Sequence, residues 1–510
     1  MKTILSSEII SAREKQEALS VLPLLVLLLI SVFFTFYKSN SAFTSDEVWS
    51  VRVASLNFQA EMDALKADVH PPLYYQLLFG WIRLLGTGER TVRALSGLFY
   101  LLSVLALYGL ARDLYGSKAA LLASAVYAAS PLAILSAQFA RMYSLLSLLA
   151  ILSTWFFLQF TTRQQISRPR LIAYVLINIL GTFTHIAFFF VLFGQVVTYL
   201  LTRRRTHLLR LILLISLSLI PYVLLWGQVL LRQVSHSQEG IAWVGKPTWS
   251  TYVELLLLYG GPLWLLLPVI VYLRWRTRKK PALTFNIFRP EMIPAWLLGI
   301  TILTPLLLSE IKPIFNARLA IVGLHLFALV VALILADAGA RNFLSFELLA
   351  LSLLGIVILH PGFSSCDNRA AASFLNGAAN DGDAVIFTSL TRLPVDFYLD
   401  RIAARKNLFE TSFPAEIDKH PGYEGRITGA DRKMDLDNEG RELAERLESM
   451  FSQGGSHRVF VLRGFHPELD AIIEKRLAER FHLSGIALKC DETSPYFKQI
   501  VVWQANPTAP

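Results

Sequence analysis

Apolar runs nearly long enough to cross a bilayer recur through the first 360 residues of this chain, and they limit its fold more than any other feature. Val21 to Phe36 is the first run, and similar ones follow every 20 to 40 residues. Each approaches the roughly 20 residues that a helix needs to span a hydrocarbon core. Helix is the conformation they dictate, because backbone polar groups in lipid must be satisfied within the segment. Composition agrees: the chain is 54% hydrophobic and 17% charged, where a soluble domain carries roughly a quarter charged residues. About 20 residues precede the first run, including Glu8, Glu14 and Glu17, and Ser39-Asn40-Ser41 matches a cleavage site poorly. The run therefore reads as an uncleaved first span.

Orientation follows from the basic clusters. Arg112 to Lys118, Arg163 to Arg170, Arg203 to Arg210, Arg274 to Lys280 and Arg341 all fit in the cytoplasm with Lys2, Arg13 and Lys15. This is the usual bias of cytoplasmic loops, and it explains the net charge of +10 without a nucleic-acid partner. The expected spans are 21–39, 91–111, 118–136, 141–160, 170–184, 186–201, 207–226, 251–275, 292–308, 316–336 and 342–360. The fold expected is thus a polytopic α-helical membrane protein of about eleven spans, multi-pass in the plasma (inner) membrane. Its N-terminus is cytoplasmic and its C-terminal domain extracytoplasmic. Pro71 to Gly86 is too short to span and reads as a re-entrant or interfacial helix, and 170–201 reads as a tight hairpin with His185 at its tip.

Two domains result, a transmembrane domain over 1–360 and an extracytoplasmic α/β domain over 361–510. In the second, Ala384 to Thr388, Arg458 to Leu462 and Gln499 to Trp503 are β-rich, while Glu439 to Met450 and Pro467 to Arg480 carry helical periodicity. No glycine-rich phosphate-binding fingerprint occurs there. Cys366 and Cys490 both lie in this region. An oxidising compartment permits them to pair, and a free pair is equally compatible with the sequence.

The unusual polar residues gather toward one membrane face. Asp46, Glu47, His70, Arg141, His185, Lys312 and Arg318 all fall at the outer ends of spans under this topology. Ionisable residues near spans are costly and usually face a cavity or a partner. Thr44-Ser45-Asp46-Glu47 reads first as a capping box for a helix to about Asn57, with Val48, Trp49 and Val51 toward lipid. Adjacent carboxylates also suit a general base, and both roles fit if Glu47 caps and Asp46 points into a site. His70 opens His70-Pro71-Pro72-Leu73-Tyr74-Tyr75, where the prolines start a helix and fix the imidazole. His70 and His185 are either structural or, with a carboxylate, a divalent-metal site of nitrogen and oxygen ligands. Arg141, in Gln138-Phe139-Ala140-Arg141-Met142-Tyr143, either snorkels to headgroups or contacts a phosphate or carboxylate. Lys312 and Arg318 place positive charge in an outer loop, against the usual bias, which suits an anionic ligand such as a lipid phosphate.

This ordered set resembles the GT-C superfamily of membrane glycosyltransferases, in the branch of protein O-mannosyltransferases and lipid A aminoarabinose transferases. The resemblance rests on Asp46-Glu47, the His70 to Tyr75 run, Glu89-Arg90-Thr91-Val92-Arg93-Ala94-Leu95-Ser96, Ala140-Arg141-Met142-Tyr143, Thr184-His185, and Lys312-Pro313 with Arg318. The tail, from Asp383-Ala384-Val385-Ile386-Phe387 to Tyr398, resembles the extracytoplasmic domain of many bacterial members. It implies transfer of a sugar from a polyprenyl-phosphate donor to an extracytoplasmic glycolipid, polysaccharide or protein, by an inverting single displacement. Asp46 would then be the catalytic base. Glu47, His70 and His185 would coordinate a divalent metal or support the base, and Lys312, Arg318 and Arg141 would hold the donor phosphate beside Tyr74 and Tyr143. Two departures stand out: Leu319 follows Arg318 where the family often has tyrosine, and the loop with Arg141 lacks a carboxylate. The rival class is a transporter or flippase of a lipid-linked intermediate, which would show internal repeats and midplane polar residues.

Overall fold

The structure is a computed structural model that describes residues 22–37, 39–68, 70–162, 166–202, 207–235, 244–261, 264, 292–337, 367–415, 433–452, 457–490 and 497–505. The expected span at 342–360, the later part of that at 251–275, the basic cluster from Arg274 to Lys280, Arg341 and Cys366 lie outside the described residues. Two compact units emerge: Met1–Ser39, His70–Leu230 and Val244–His360 form one, and Asn40–Val69, Leu231–Trp243 and Pro361–Pro510 the other. Residues 40–69, which the sequence reading assigns to the membrane region, thus share a unit with the C-terminal residues.

The first unit is helical. Five of its described helices are long and apolar enough to cross a membrane: Glu89–Tyr115, Tyr143–Thr161, Leu208–Arg232, Ile293–Ile311 and Ala317–Leu335. Ser117–Ala128 and Pro131–Ala137 form a sixth candidate, bent by 64°. The bend falls where Ser130 leaves helical geometry and Pro131 opens the next helix, since proline fits a first helical turn but not the interior. Leu22–Phe36 and Phe188–Thr202 are apolar but shorter. The chain is thus a multi-pass helical membrane protein. The helices fall where the apolar runs do, but these lengths do not reproduce a count of about eleven spans. The 208–235 helix leaves Leu209, Leu213, Val223 and Leu224 more than half exposed, an apolar surface suited to lipid. The stretch expected to be re-entrant or interfacial forms Leu73–Leu85, 13 residues long, far short of a span.

Side chains satisfy the end of the first helix. Gln138 Nε2 donates to the carbonyls of Phe34 at 2.5 Å and Tyr37 at 2.7 Å, and Arg93 Nη1 donates to Ser39 O at 2.8 Å. These carbonyls have no intrahelical partner, so the turn before the 143–162 helix and the start of the 89–115 helix are tied to one point.

The second unit holds a five-stranded sheet ordered β2-β1-β3-β5-β4, with β1 Ala384–Thr388, β2 Phe409–Phe413, β3 Arg458–Arg463, β4 Phe481–Lys489 and β5 Gln499–Ala505. β2, β1 and β3 are parallel, and β5 runs antiparallel to β3 and β4. Alternation along the strands divides the core in two. Val385, Phe387, Phe460 and Leu462 pack with the 368–378 and 392–399 helices. Ile386, Val459, Val461 and Trp503 pack with the 433–451 and 467–478 helices. β2, β4 and the first two of these helices were not expected from the sequence, whereas β1, β3, β5 and the later helices were. Val48 and Val51, expected to face lipid, are instead buried. Trp49 Nε1 donates to Asp68 Oδ2 at 3.2 Å.

Asp470 accepts a hydrogen bond from the Thr388 hydroxyl at 2.6 Å, at the carboxyl end of β1. Burial pushes its carboxyl up to about 6, the Thr388 bond opposing the shift. The folded chain therefore keeps this proton where the unfolded chain has released it, so its stability falls as pH rises from about 4 to about 6. Asp470→Asn keeps an acceptor for Thr388 and loses the charge. Its melting temperature should equal wild type at pH 4 and exceed it at pH 8, by the equivalent of about 1–3 kcal/mol. A gap that is constant with pH would contradict this account.

Candidate active site

The Pro71-Pro72 pair precedes the 73–85 helix, and Leu73 N–H donates to Phe183 O at 3.0 Å. This bond brings the His70 turn against the turn between the 168–182 and 188–202 helices, which carries His185. The His70 and His185 rings meet edge to face, with centroids 5.6 Å apart. Tyr143, in the first turn of the 143–162 helix, lies 6.1 Å from His185, centroid to centroid. Phe139 stacks on Tyr143 at 6.3 Å and 9°, and the Arg318 guanidinium lies 5.1 Å from the Phe139 ring centre.

Arg141 is the centre of the group and is only 5% exposed. Its Nη2 lies 3.2 Å from His70 Nε2, and its Nη1 donates to Tyr75 OH at 3.3 Å. Arginine has no acceptor, so His70 Nε2 accepts and its ring proton sits on Nδ1. The Arg141 carbonyl accepts from Ser96 Oγ at 3.2 Å, and Ser96 pairs with Tyr74 OH at 3.1 Å. Tyr74 thus supports the backbone of Arg141, whose side chain Tyr75 addresses. His185 Nδ1 accepts from Ala187 N–H at 3.0 Å, which puts its proton on Nε2. Burial first, then the nearby His70 and Arg141, hold His185 well below the ordinary histidine range, so it is uncharged at neutral pH.

Sequence reasoning missed Tyr75 and Phe139. The signal for Tyr75 was its place beside Tyr74 in a helix that starts at His70. Adjacent helical residues point about 100° apart, so one tyrosine can face Ser96 while the next faces Arg141. Lys312 caps the 293–311 helix and is half-buried. Ser309 Oγ accepts from Ile314 and Phe315 N–H at 3.2 and 2.8 Å, which fixes the loop after it. Asn316 Oδ1 accepts from Arg318 N–H at 2.9 Å, and Arg318 is exposed.

Asp46 and Glu47 belong to the other unit, in the first turn of the Ser45–Ala54 helix. Glu47 is 1% exposed, and its Oε2 accepts from Thr44 N–H at 3.0 Å, completing the capping box with Thr44. Asp46 is half-buried.

The two histidines together do not fit a divalent ion. His70 Nε2 is committed to a cationic guanidinium and His185 Nδ1 to a backbone N–H. Among the described residues, no three His, Cys, Asp or Glu side chains gather in a way that could hold a metal.

Residues 69–226 match the family model described as dolichyl-phosphate-mannose-protein mannosyltransferase, a segment that contains His70, Arg141 and His185. No curated protein sequence matches the chain. Among solved structures, ArnT from Cupriavidus metallidurans bound to undecaprenyl phosphate is similar at a TM-score of 0.58 and 14% identity, over 95% of this chain and 99% of that one. The archaeal oligosaccharyltransferase AglB from Archaeoglobus fulgidus, in complex with an inhibitory peptide and a dolichol-phosphate, is similar at 0.50 and 12% identity, over 92% and 73%. At such identities the structures speak to fold, and the matched segment covers residues 69–226 alone. The chain is similar to ArnT and AglB in fold. In particular, it resembles the mannosyltransferase branch over the segment that builds the Arg141 cluster.

The turn that holds His185 depends on Gly181, where a Cβ would fall on the buried Phe188 ring. Gly181→Ala forces Phe188 to move and should cost about 1–3 kcal/mol. The check is a lower melting temperature than wild type. An unchanged melting temperature would mean that the turn repacks freely.

Proposed function

We propose that the protein transfers a sugar from a polyprenyl-phosphate-linked donor to an extracytoplasmic acceptor, by inverting single displacement. The observation that carries the reading is the buried Arg141, gathered with His70, Tyr75 and His185 inside the segment that matches the mannosyltransferase model. A guanidinium suits a phosphate through its fixed fork of donors. The ArnT and AglB structures hold undecaprenyl phosphate and a dolichol-phosphate, which favours a polyprenyl phosphate as the donor's carrier here.

The acceptor hydroxyl oxygen forms a bond to the anomeric carbon while the bond from that carbon to the phosphate oxygen breaks, through an oxocarbenium-like state. The bonding electrons leave on the phosphate, where Arg141, Lys312 and Arg318 stabilise the developing charge. The hydroxyl proton passes to Asp46, the base assigned by the resemblance. Glu47 is left to its cap on Thr44. One displacement inverts the anomeric centre. A disulfide at Cys490 supports an oxidising, extracytoplasmic setting for the C-terminal unit and hence for the acceptor. The N-terminus is then cytoplasmic, as the basic clusters imply, and the membrane is the inner one.

The test is to incubate the purified chain in lipid with a panel of polyprenyl-phosphate sugars and acceptor extract. Free polyprenyl phosphate and the anomer of the product are followed. Asp46→Asn should lower turnover by roughly 10²–10⁴-fold, and Arg141→Lys should raise the donor KM about tenfold or more by removing the fork. Full activity of a folded Asp46→Asn variant would move the base elsewhere. A retained anomer would exclude single displacement, and no consumption of any donor would end the transferase reading.

A further inference from the structure

We propose that Tyr398, with Asp367 and Asn368, positions the segment that carries Asp46, so that the C-terminal α/β fold sets the geometry of the proposed base. The inference rests on the transferase reading above. Residues 40–44 form neither helix nor strand, yet Ala42 and Phe43 are fully buried. Buried backbone donors and acceptors need partners, and here side chains from more than 300 residues downstream supply them. Phe43 N–H donates to Tyr398 OH at 2.7 Å, and Phe43 O accepts from Asn368 Nδ2 at 2.8 Å. Ala42 N–H donates to Asp367 Oδ2 at 3.2 Å, and Asn40 O accepts from Arg369 Nη2 at 3.3 Å. On the far side of Thr44, Ser45 Oγ donates to the carbonyl of Leu390, in the turn after β1.

Apolar packing fixes the same segment. Ala42 sits in one core with Ala371, Ala372, Leu375 and Tyr398, and the Phe43 ring meets Phe397 at 5.6 Å. Further along the helix, Arg52 lies 3.9 Å from Asp400. The strap is therefore held on both sides of Thr44, and Asp46 follows the Ser45 anchor by one residue. A base in a loop would sample many positions. Held this way, it keeps the fixed placement that general-base catalysis needs, since errors on the order of 1 Å cost large factors in rate. Asp367 also caps the 368–378 helix through Ala370 N–H at 2.9 Å, so the same carboxylate that starts the first helix of the α/β fold anchors the strap.

Tyr398→Phe tests the assignment, because it keeps the ring that packs on Phe397 and removes the hydroxyl that takes the Phe43 N–H. In the full-length protein, hydrogen exchange at residues 42–47 should quicken about fivefold to tenfold, the loss of one hydrogen bond, with β1 and β3 unchanged. Turnover should fall by a similar factor with the donor KM unaltered, and Asn368→Ala should act in the same sense. Unchanged exchange at 42–47 would overturn the clamp. Faster exchange with full turnover would overturn the positioning role, as would quickening throughout the sheet, which marks general destabilisation. The exchange measurement needs no substrate, so it reads the clamp even if Asp46→Asn proves active or no donor is consumed, results that count against the transferase reading instead.

Discussion

Arg141 carries a permanent charge to a position 5% exposed, and the first unit is arranged around that cost. Removing such a charge from water costs several kcal/mol unless hydrogen bonds replace its hydration. No single element supplies them. His70 comes from a proline-stiffened turn, Tyr75 from the short helix after it, and Ser96 from the next long helix to hold the Arg141 carbonyl. Arg141 thus helps to fix the relative placement of three stretches, the His70 turn and the short helix through its guanidinium and the long helix through its carbonyl. Apolar contact discriminates poorly between one sliding position and another, whereas a fork of N–H groups has a direction.

The same pattern runs through the neighbouring helices. Tyr174 OH donates to Gln195 Oε1 at 2.5 Å, Gln195 Nε2 to Ser153 Oγ at 2.9 Å, and Ser153 Oγ to Asn178 Oδ1 at 2.7 Å. Thr154 Oγ1 lies 2.9 Å from His325 Nε2. In a medium without water, polar side chains on facing helices find one another, and each pair is worth roughly 0.6–2 kcal/mol. These chains of amide and hydroxyl hold the 143–162, 168–182, 188–202 and 321–337 helices in register. They are bonds between one helix and another.

How much of this was legible in the sequence depends on the range of the interaction. Helix positions were readable because apolar runs and the Pro71-Pro72 punctuation act locally, whereas the break at Ser130-Pro131 falls inside the single span expected over 118–136. The capping box of Thr44 and Glu47 was readable for the same reason, since its partners are three residues apart. β1, β3 and β5 announced themselves as continuous apolar runs buried on both faces. β2, Phe409-Glu410-Thr411-Ser412-Phe413, did not, because an edge strand needs less apolar content. The grouping of His70, Arg141 and His185 could be suggested by their common polarity but not located, because contacts across 71 residues or more leave no periodic trace. The burial of Val48 and Val51 was misread because an amphipathic stripe does not say whether lipid or protein covers it.

The strap at 40–45 shows how order passes from a core to a segment with no secondary structure of its own. The sheet fixes the 368–378 and 392–399 helices by burying their apolar faces on β1 and β3. Those helices in turn fix the rotamers of the side chains that face the strap. The Tyr398 ring stands at 90° to Phe397, with the Arg369 and Arg401 guanidinium groups 5.5 and 5.9 Å from its centre. Asp367 is committed to a helix cap. Side chains that are already ordered lose little entropy when they accept a backbone N–H, so most of each bond remains as net stabilisation. A strand added to the sheet would also have satisfied the strap, but only in an extended form with alternating faces. Side-chain partners impose no such repeat, and they let the backbone turn at Thr44 directly into the helix that begins with Ser45 and Asp46.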